Sequence, residues 1–276
     1  MKAIIDRERF GPWALITGAS SGIGLEFARQ LAAAGLNTVL VARRLALLEE
    51  AGRAFAREFG VEYRALGIDL SEEGFLKQLA EATDDLDIGL VVSNAGTVCP
   101  GAFLSNDRDE LASLLRLNTL AHLDIAHHFG TKLVSRARGG LLFVGAMGSD
   151  RGVPYLANDA GAKAYLQSLA RGLHGELKPL GVHVTVAPVG PTDTPVLAKL
   201  GLTPESMPMK PMKPEQCASE GLRALQENRP MIIPGRMNRI MKSVIPAWIT
   251  QAMMVKMFTK ALASKSAAPP AQGEGR

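Results

Sequence analysis

Thr17-Gly18-Ala19-Ser20-Ser21-Gly22-Ile23-Gly24 follows the apolar run Trp13 to Ile16 and opens a segment that places Leu25, Ala28 and Leu31 on one helical face. Strand, glycine turn and helix in that order predict a Rossmann-type unit. The glycines allow a sharp turn and a close backbone approach to a pyrophosphate, whose charge then meets the positive end of the helix. Gly18, Ser20, Ser21, Gly22, Ile23 and Gly24 are the candidate phosphate-binding residues on this reading.

Outward from that turn, short apolar runs alternate with longer segments of helical period, the pattern of parallel strands joined by crossover helices. Strands are expected near Trp13 to Ile16, Thr38 to Val41, Tyr63 to Gly67, Gly89 to Ser93, Leu141 to Val144, Val182 to Val186 and Met231 to Ile233. Helices are expected over Gly22 to Ala34, Leu45 to Phe59, Ser71 to Thr83, Asp107 to Ala137, Asp159 to Leu177 and Pro214 to Glu227. Gly35 and Gly60 act as C-terminal stops, and Ser71 looks like a helix start. The fold class is α/β: a doubly wound parallel sheet of about seven strands in one domain, 1–235, followed by a helical extension, 236–263, and a disordered tail, 264–276. Leu200 to Pro214, with four prolines, reads as a loop of the kind that covers a site.

Composition narrows the function classes. Apolar residues make up 47% and charged ones 21%, enough to bury a large core. A formal charge of +4, with basic residues scattered among acids through the first 227 positions, gives no footprint for nucleic acid. Two cysteines, Cys99 and Cys217, have no metal-ligand spacing, and no metal site is expected. Asp6, Arg7, Glu8 and Arg9 interrupt any apolar leader within the first ten residues, so the expected location is the cytoplasm.

The glycine turn, with Asn94-Ala95-Gly96 after the fourth strand, resembles the short-chain dehydrogenase/reductase family. The likeness covers nearly the whole chain, because Asp69-Leu70, Asn118 and Gly190-Pro191-Thr192-Asp193-Thr194 follow in the family's order. It implies that Asp69 and Leu70 flank an adenine, that Asn94, Ala95 and Gly96 line the cofactor cleft, and that Gly190, Thr192 and Thr194 reach the nicotinamide end. Pro188-Val189-Gly190 departs from the family's Pro immediately before that Gly. Homodimers or homotetramers are the implied assembly.

Charge argues the choice of cofactor. A carboxylate at the end of the second strand would bind ribose hydroxyls and repel a 2′-phosphate, whereas this chain has Arg43 and Arg44 there. Guanidinium groups hold phosphate bidentately, so NADP(H) is expected.

The resemblance implies a Tyr four residues before a Lys, and a Ser thirteen residues before that Tyr. Lys163 matches the lysine, but Asp159 stands at the tyrosine position and Ala146 at the serine position. Asn118 and Lys163 remain of the implied set of four. An aspartate starts near ~3.9 and, beside Lys163, is expected to fall further unless burial overrides the charges. Ser149 and Tyr155 are the nearest replacements, and neither is at motif spacing. His122, His127 and His128 have no ligand-spaced partner and read as surface or interface residues.

Three functions fit: an NADP(H)-linked oxidoreductase on a small apolar carbonyl or alcohol, with Asp159, Lys163 and Asn118 as its catalytic residues; a non-redox isomerase, lyase or cyclase with Asp159 as base; and a non-catalytic cofactor- or partner-binding protein. From Asn228 to Gly273 there is no Asp or Glu but seven Arg or Lys, interleaved with Met, Ile, Trp and Phe and split by Pro246. Such a stretch suits a lid, a subunit contact or a peripheral membrane surface.

Overall fold

The computed structural model describes residues 4–207 and 210–266. Six aliphatic runs pair as parallel strands: β1 (Trp13–Thr17), β2 (Asn37–Ala42), β3 (Tyr63–Gly67), β4 (Ile88–Ser93), β5 (Gly139–Ala146) and β6 (Val182–Val189). Their spatial order is β3-β2-β1-β4-β5-β6. Connections run outward in both directions from β1 and β4, and that reversal opens a crevice at the strands' C-terminal ends.

The helices in chain order are α1 (Arg7–Phe10), α2 (Gly22–Ala33), α3 (Leu45–Phe59), α4 (Phe75–Glu81), α5 (Arg108–Leu115), α6 (Ala121–Ser135), α7 (Ala157–Leu177), α8 (Pro195–Lys199), α9 (Pro214–Gln226), α10 (Arg236–Val244) and α11 (Ala247–Ser266). Both sheet faces are covered, which is why the strands read as continuous apolar runs. Leu15, Val91, Leu141 and Phe143 pack with Ile125 and Phe129 of α6 and Leu166 of α7. The alternate residues Ala14, Ile16, Val92 and Leu142 pack with Phe27 of α2, Leu48 of α3 and Leu222 of α9.

Four sequence expectations need correction. Met231 to Ile233 does not form a seventh strand: Met231 makes one isolated parallel bridge to Val186, and Pro230 and Pro234 bracket a run too short to pair further. Ser71 does not start a helix, because the Asp69 carboxylate takes its N–H at 2.9 Å and its hydroxyl at 2.7 Å; α4 begins after Gly74, whose φ is +82°. The expected helix from Asp107 to Ala137 is interrupted by a π-turn, Arg116–Leu120. Finally, α11 runs through Ser266, past the expected start of the tail at Ser264, and the rest of that tail lies outside the described residues.

Candidate active site

Thr17 ends β1 and stitches the crevice shut at its base. Its hydroxyl accepts the N–H groups of Asn94 and Ala95, each at 2.9 Å, while Asn94 Nδ2 donates to the Thr17 carbonyl at 2.9 Å. This clamp leaves no room for side chains on the turn. A Cβ on Gly18 would lie 2.8 Å from Asn94 Nδ2, and one on Gly24 would lie 2.5 Å from the same atom and collide with the Gly18 carbonyl. Gly22, at φ +58°, faces Thr194, whose Cγ2 would be 3.2 Å from an added Cβ.

The turn feeds α2 with its first amides uncapped. Ser21 makes no side-chain cap bond, and the first turn carries no acid. Unsatisfied N–H groups and the helix dipole together favour an anion there. The chain thus fits a dinucleotide pyrophosphate on its own geometry, with Ser20, Ser21, Gly22 and Ile23 forming the rim.

Beyond β2, Arg44 Nη2 donates to Ser20 Oγ at 3.1 Å, which swings one guanidinium onto the glycine turn. Arg43 is 71% exposed and lies 3.8 Å from the Asp69 carboxylate. Leu70, by contrast, is buried in the core with Ile68 and Phe75.

The π-turn between α5 and α6 exists around Asn118, which is fully buried. Its Oδ1 accepts from Thr97 N at 3.0 Å and its Nδ2 donates to Thr97 O at 2.8 Å. The amide is spent on the loop after β4 and holds Gly96 beside Lys163. A Cβ on Gly96 would sit 3.1 Å from Asn118 Oδ1 and 3.3 Å from Lys163 Nζ, so Asn118, the Asn94-Ala95-Gly96 loop and Lys163 converge.

Lys163 projects from α7 and donates to the Val144 carbonyl of β5 at 3.1 Å. Burial lowers its pKa to about 8, against the opposing pull of Asp159. One turn earlier, Asp159 is 6% exposed; its Oδ1 accepts from Cys99 N at 3.1 Å and its Oδ2 is buried without a hydrogen-bond partner. Here the sequence expectation is reversed. Burial pushes the Asp159 carboxyl up to about 6, overriding the Cys99 N–H and the charge of Lys163.

His122 was expected at the surface but is buried, its Nδ1 2.6 Å from Ser93 Oγ. Burial, then the nearby Lys163 charge, lowers its pKa to about 3, so it is a neutral imidazole. The second residue of α6 faces the sheet, whereas His127 is exposed. Ser149 is also spoken for: it donates to the Ala146 carbonyl at 2.8 Å and accepts from Gln167 Nε2. The Tyr155 hydroxyl meets Thr259 of α11 at 3.3 Å.

Two elements wall the far side. Asp193 N donates to Met212 O and Met212 N to Pro191 O, both at 2.9 Å, folding the loop before α9 back beside Thr192. Thr192 Oγ1 bonds the Gly190 carbonyl, and Asn238 of α10 packs so tightly on Gly190 that an added Cβ would lie 2.6 Å from its Nδ2. Phe258 and Ala261 of α11 then bury themselves with Val153, Ala160 and Leu202, next to Asp159. The π-turn, the Asn238 contact and the Cys99 N–H went unread in the sequence, which carries no local signal for any of them. Among the described residues no three His, Cys, Asp or Glu side chains gather to hold a metal ion.

Comparison with known proteins bears on this arrangement. The family model described as short chain dehydrogenase matches residues 12–205. The 7beta-hydroxysteroid dehydrogenase of Clostridium sardiniense is 31% identical over 84% of this chain and 89% of its own length. A very-long-chain 3-oxoacyl-CoA reductase of Meyerozyma guilliermondii is 36% identical over 72% of this chain, which spans only 61% of that longer relative. Among solved structures, one of a 7beta-hydroxysteroid dehydrogenase superposes with a TM-score of 0.82 at 26% identity, covering 90% of this chain and 98% of the other. A short-chain dehydrogenase from Sphingobium yanoikuyae in complex with NADPH superposes at 0.77 with 25% identity, covering 96% and 99%.

Proposed function

The chain belongs to the short-chain dehydrogenase family, and from that premise we propose that it is an NADP(H)-linked oxidoreductase for an apolar, lipid-like carbonyl or alcohol, with an atypical proton-transfer site. The observation that carries the proposal is the buried Asp159 carboxyl one turn before the half-buried Lys163 on α7, whose ammonium lies beside Gly96. Two relatives whose names specify hydroxysteroid and very-long-chain 3-oxoacyl-CoA substrates support an apolar substrate. So does the cluster of Val153, Leu202 and Phe258 with Tyr155 and Met257 near Asp159.

In this reading Ala146 and Asp159 stand where the family has Ser and Tyr. The nicotinamide, when bound, supplies or accepts hydride. Asp159, raised toward neutrality by burial, gives a proton to the carbonyl oxygen in reduction or takes one from the alcohol in oxidation, through a bridging water because its side chain is short. Lys163 holds the ribose and supplies the positive charge that favours an anionic oxygen nearby. Asn118 is a positioning residue acting through Thr97. Arg44 and Arg43 take the 2′-phosphate, while Ser20 to Gly24, Asn94 to Gly96, Asp69, Thr192 and Thr194 hold the rest of the cofactor. Leu115, Leu120 and Leu123, exposed around the π-turn, offer an apolar face for a homo-oligomer.

The test is NADPH consumption with a panel of bulky ketones, 3-oxoacyl thioesters included. Stoichiometric NADPH loss supports the proposal, and the double change Ala146→Ser with Asp159→Tyr should raise the reductase rate. NADPH binding without turnover by either form would overturn it in favour of a non-catalytic holder. A second reading, proton abstraction without hydride transfer, is favoured by the unpartnered Asp159 Oδ2; product formed with NADPH unchanged would establish it.

A further inference from the structure

Along α10 and just past Pro246, four large apolar side chains stand in water: Met237, Ile240, Val244 and Trp248, exposed by 55%, 43%, 72% and 71%. The first three are spaced i, i+3, i+7 on α10, and Trp248 continues the stripe just past Pro246. The opposite side of α10 is fastened to the body. Asn238 is buried on Gly190, Arg239 pairs with Glu220 at 2.6 Å, and Lys242 pairs with Asp150 at 3.3 Å. These anchors hold the apolar stripe facing outward, where its exposure stabilises nothing in the monomer.

We infer that α10 and the Pro246 turn dock on an anionic phospholipid surface. Charge selects that occupant. No Asp or Glu occurs from Asn228 to Gly273, and Arg236 at the start of α10 and Lys256 and Lys260 of α11 are exposed. A helix with an apolar face, cationic flanks and a tryptophan lies in the headgroup boundary of such a membrane. A second copy of the chain is the poorer fit, because a two-fold contact sets each patch against itself and brings the basic residues of the two arms together, while the acids at α10, Glu220 and Asp150, are already paired with Arg239 and Lys242. Among the described residues no helix is long and apolar enough to cross a bilayer, so the contact is peripheral. The inference does not rest on the redox reading.

Flotation of the full-length protein with vesicles tests it. One set contains phosphatidylcholine alone and the other phosphatidylcholine mixed with phosphatidylserine. Binding is expected to the anionic set only, weakening as salt is raised, with a blue shift of Trp248 emission. Val244→Glu and Trp248→Glu should each lower the partition coefficient by about tenfold, and Arg236→Gln by roughly fivefold. Both Glu variants should keep their melting temperature and NADPH binding, since these positions are exposed. Absence of flotation, or equal flotation with both sets, overturns the inference. So does a lipid-free oligomer that Val244→Glu dissociates, which would identify a second copy as the occupant.

Discussion

At the β1–α2 turn the crevice is shaped by backbone: glycines at 18, 22 and 24 approach Asn94 and Thr194 to within side-chain contact, and the α2 amides remain uncapped. Around Asp159 and Lys163 it is shaped by groups brought from far apart, with the Cys99 N–H from the loop after β4, the Asn118 amide from a π-turn and Phe258 from α11. On the proposed function, the first region sets cofactor affinity through geometry. The second tunes protonation through burial, and it does so at a cost to stability: a raised carboxyl and a lowered amine are both held in their less comfortable charge states near neutral pH.

Changes at Asp159 and Lys163 should therefore alter rate and its pH dependence more than they alter cofactor affinity. The largest effect is expected from Lys163→Met, about 10³-fold in kcat, read by steady-state NADPH oxidation. A comparable loss of NADPH affinity without a loss of kcat would dissolve the contrast. Next comes the pH profile. A protonated Asp159 serves reduction, so kcat/KM for a ketone should fall by about tenfold per pH unit above about 6. Alcohol oxidation needs the Asp159 anion with a charged Lys163, and should be greatest between about 6 and about 8.

At the nucleotide end, Arg44→Asp should cost roughly 10- to 100-fold in NADPH affinity and leave NADH nearly unaffected, by isothermal calorimetry. The smallest effect concerns stability. The folded-state pKa of Asp159 lies above its unfolded value of 3.8, so the folded protein binds more protons between 3.8 and about 6 and loses stability as pH rises through that window. Asp159→Asn is therefore expected to stabilise the fold at pH 7 by about 1–3 kcal/mol, seen as a higher Tm. An unchanged or lower Tm would show that the Cys99 N–H and Lys163 compensate the buried charge in full.

The same contrast explains what the sequence discloses. The positions of the six strands, the boundaries of α3 and the glycine turn are legible because glycine spacing and apolar period are local properties: Leu45–Phe59 is found where expected, whereas β5 and β6 run past the expected ranges to Gly139–Ala146 and Val182–Val189. The uncapped α2 amides are not legible, because Ser21 is a favoured N-cap residue that makes no such bond here. Asp159 and Lys163 are legible as residues, but not their charge states, since the surroundings of Asp159 come from distant segments: the Cys99 N–H 60 positions upstream, and Phe258 of α11, which packs in one cluster with the adjacent Ala160. The apolar period from Asp107 to Ala137 is continuous, so nothing local marks the extra residue that turns Asn118 inward. His122 reads as surface beside His127 and His128 because its partner, Ser93, lies 29 positions upstream.

The single bridge between Met231 and Val186 has a bearing on how the protein behaves when crowded. β6 is an outer strand whose free N–H and C=O groups would otherwise template pairing with another chain. Val186 N donates to Pro230 O at 3.1 Å and Val186 O accepts from Ile232 N at 3.0 Å, so the middle of that edge is occupied. Prolines at 230 and 234 prevent the occupying segment from presenting a new ladder of its own, which makes this short patch a terminator against edge-to-edge aggregation.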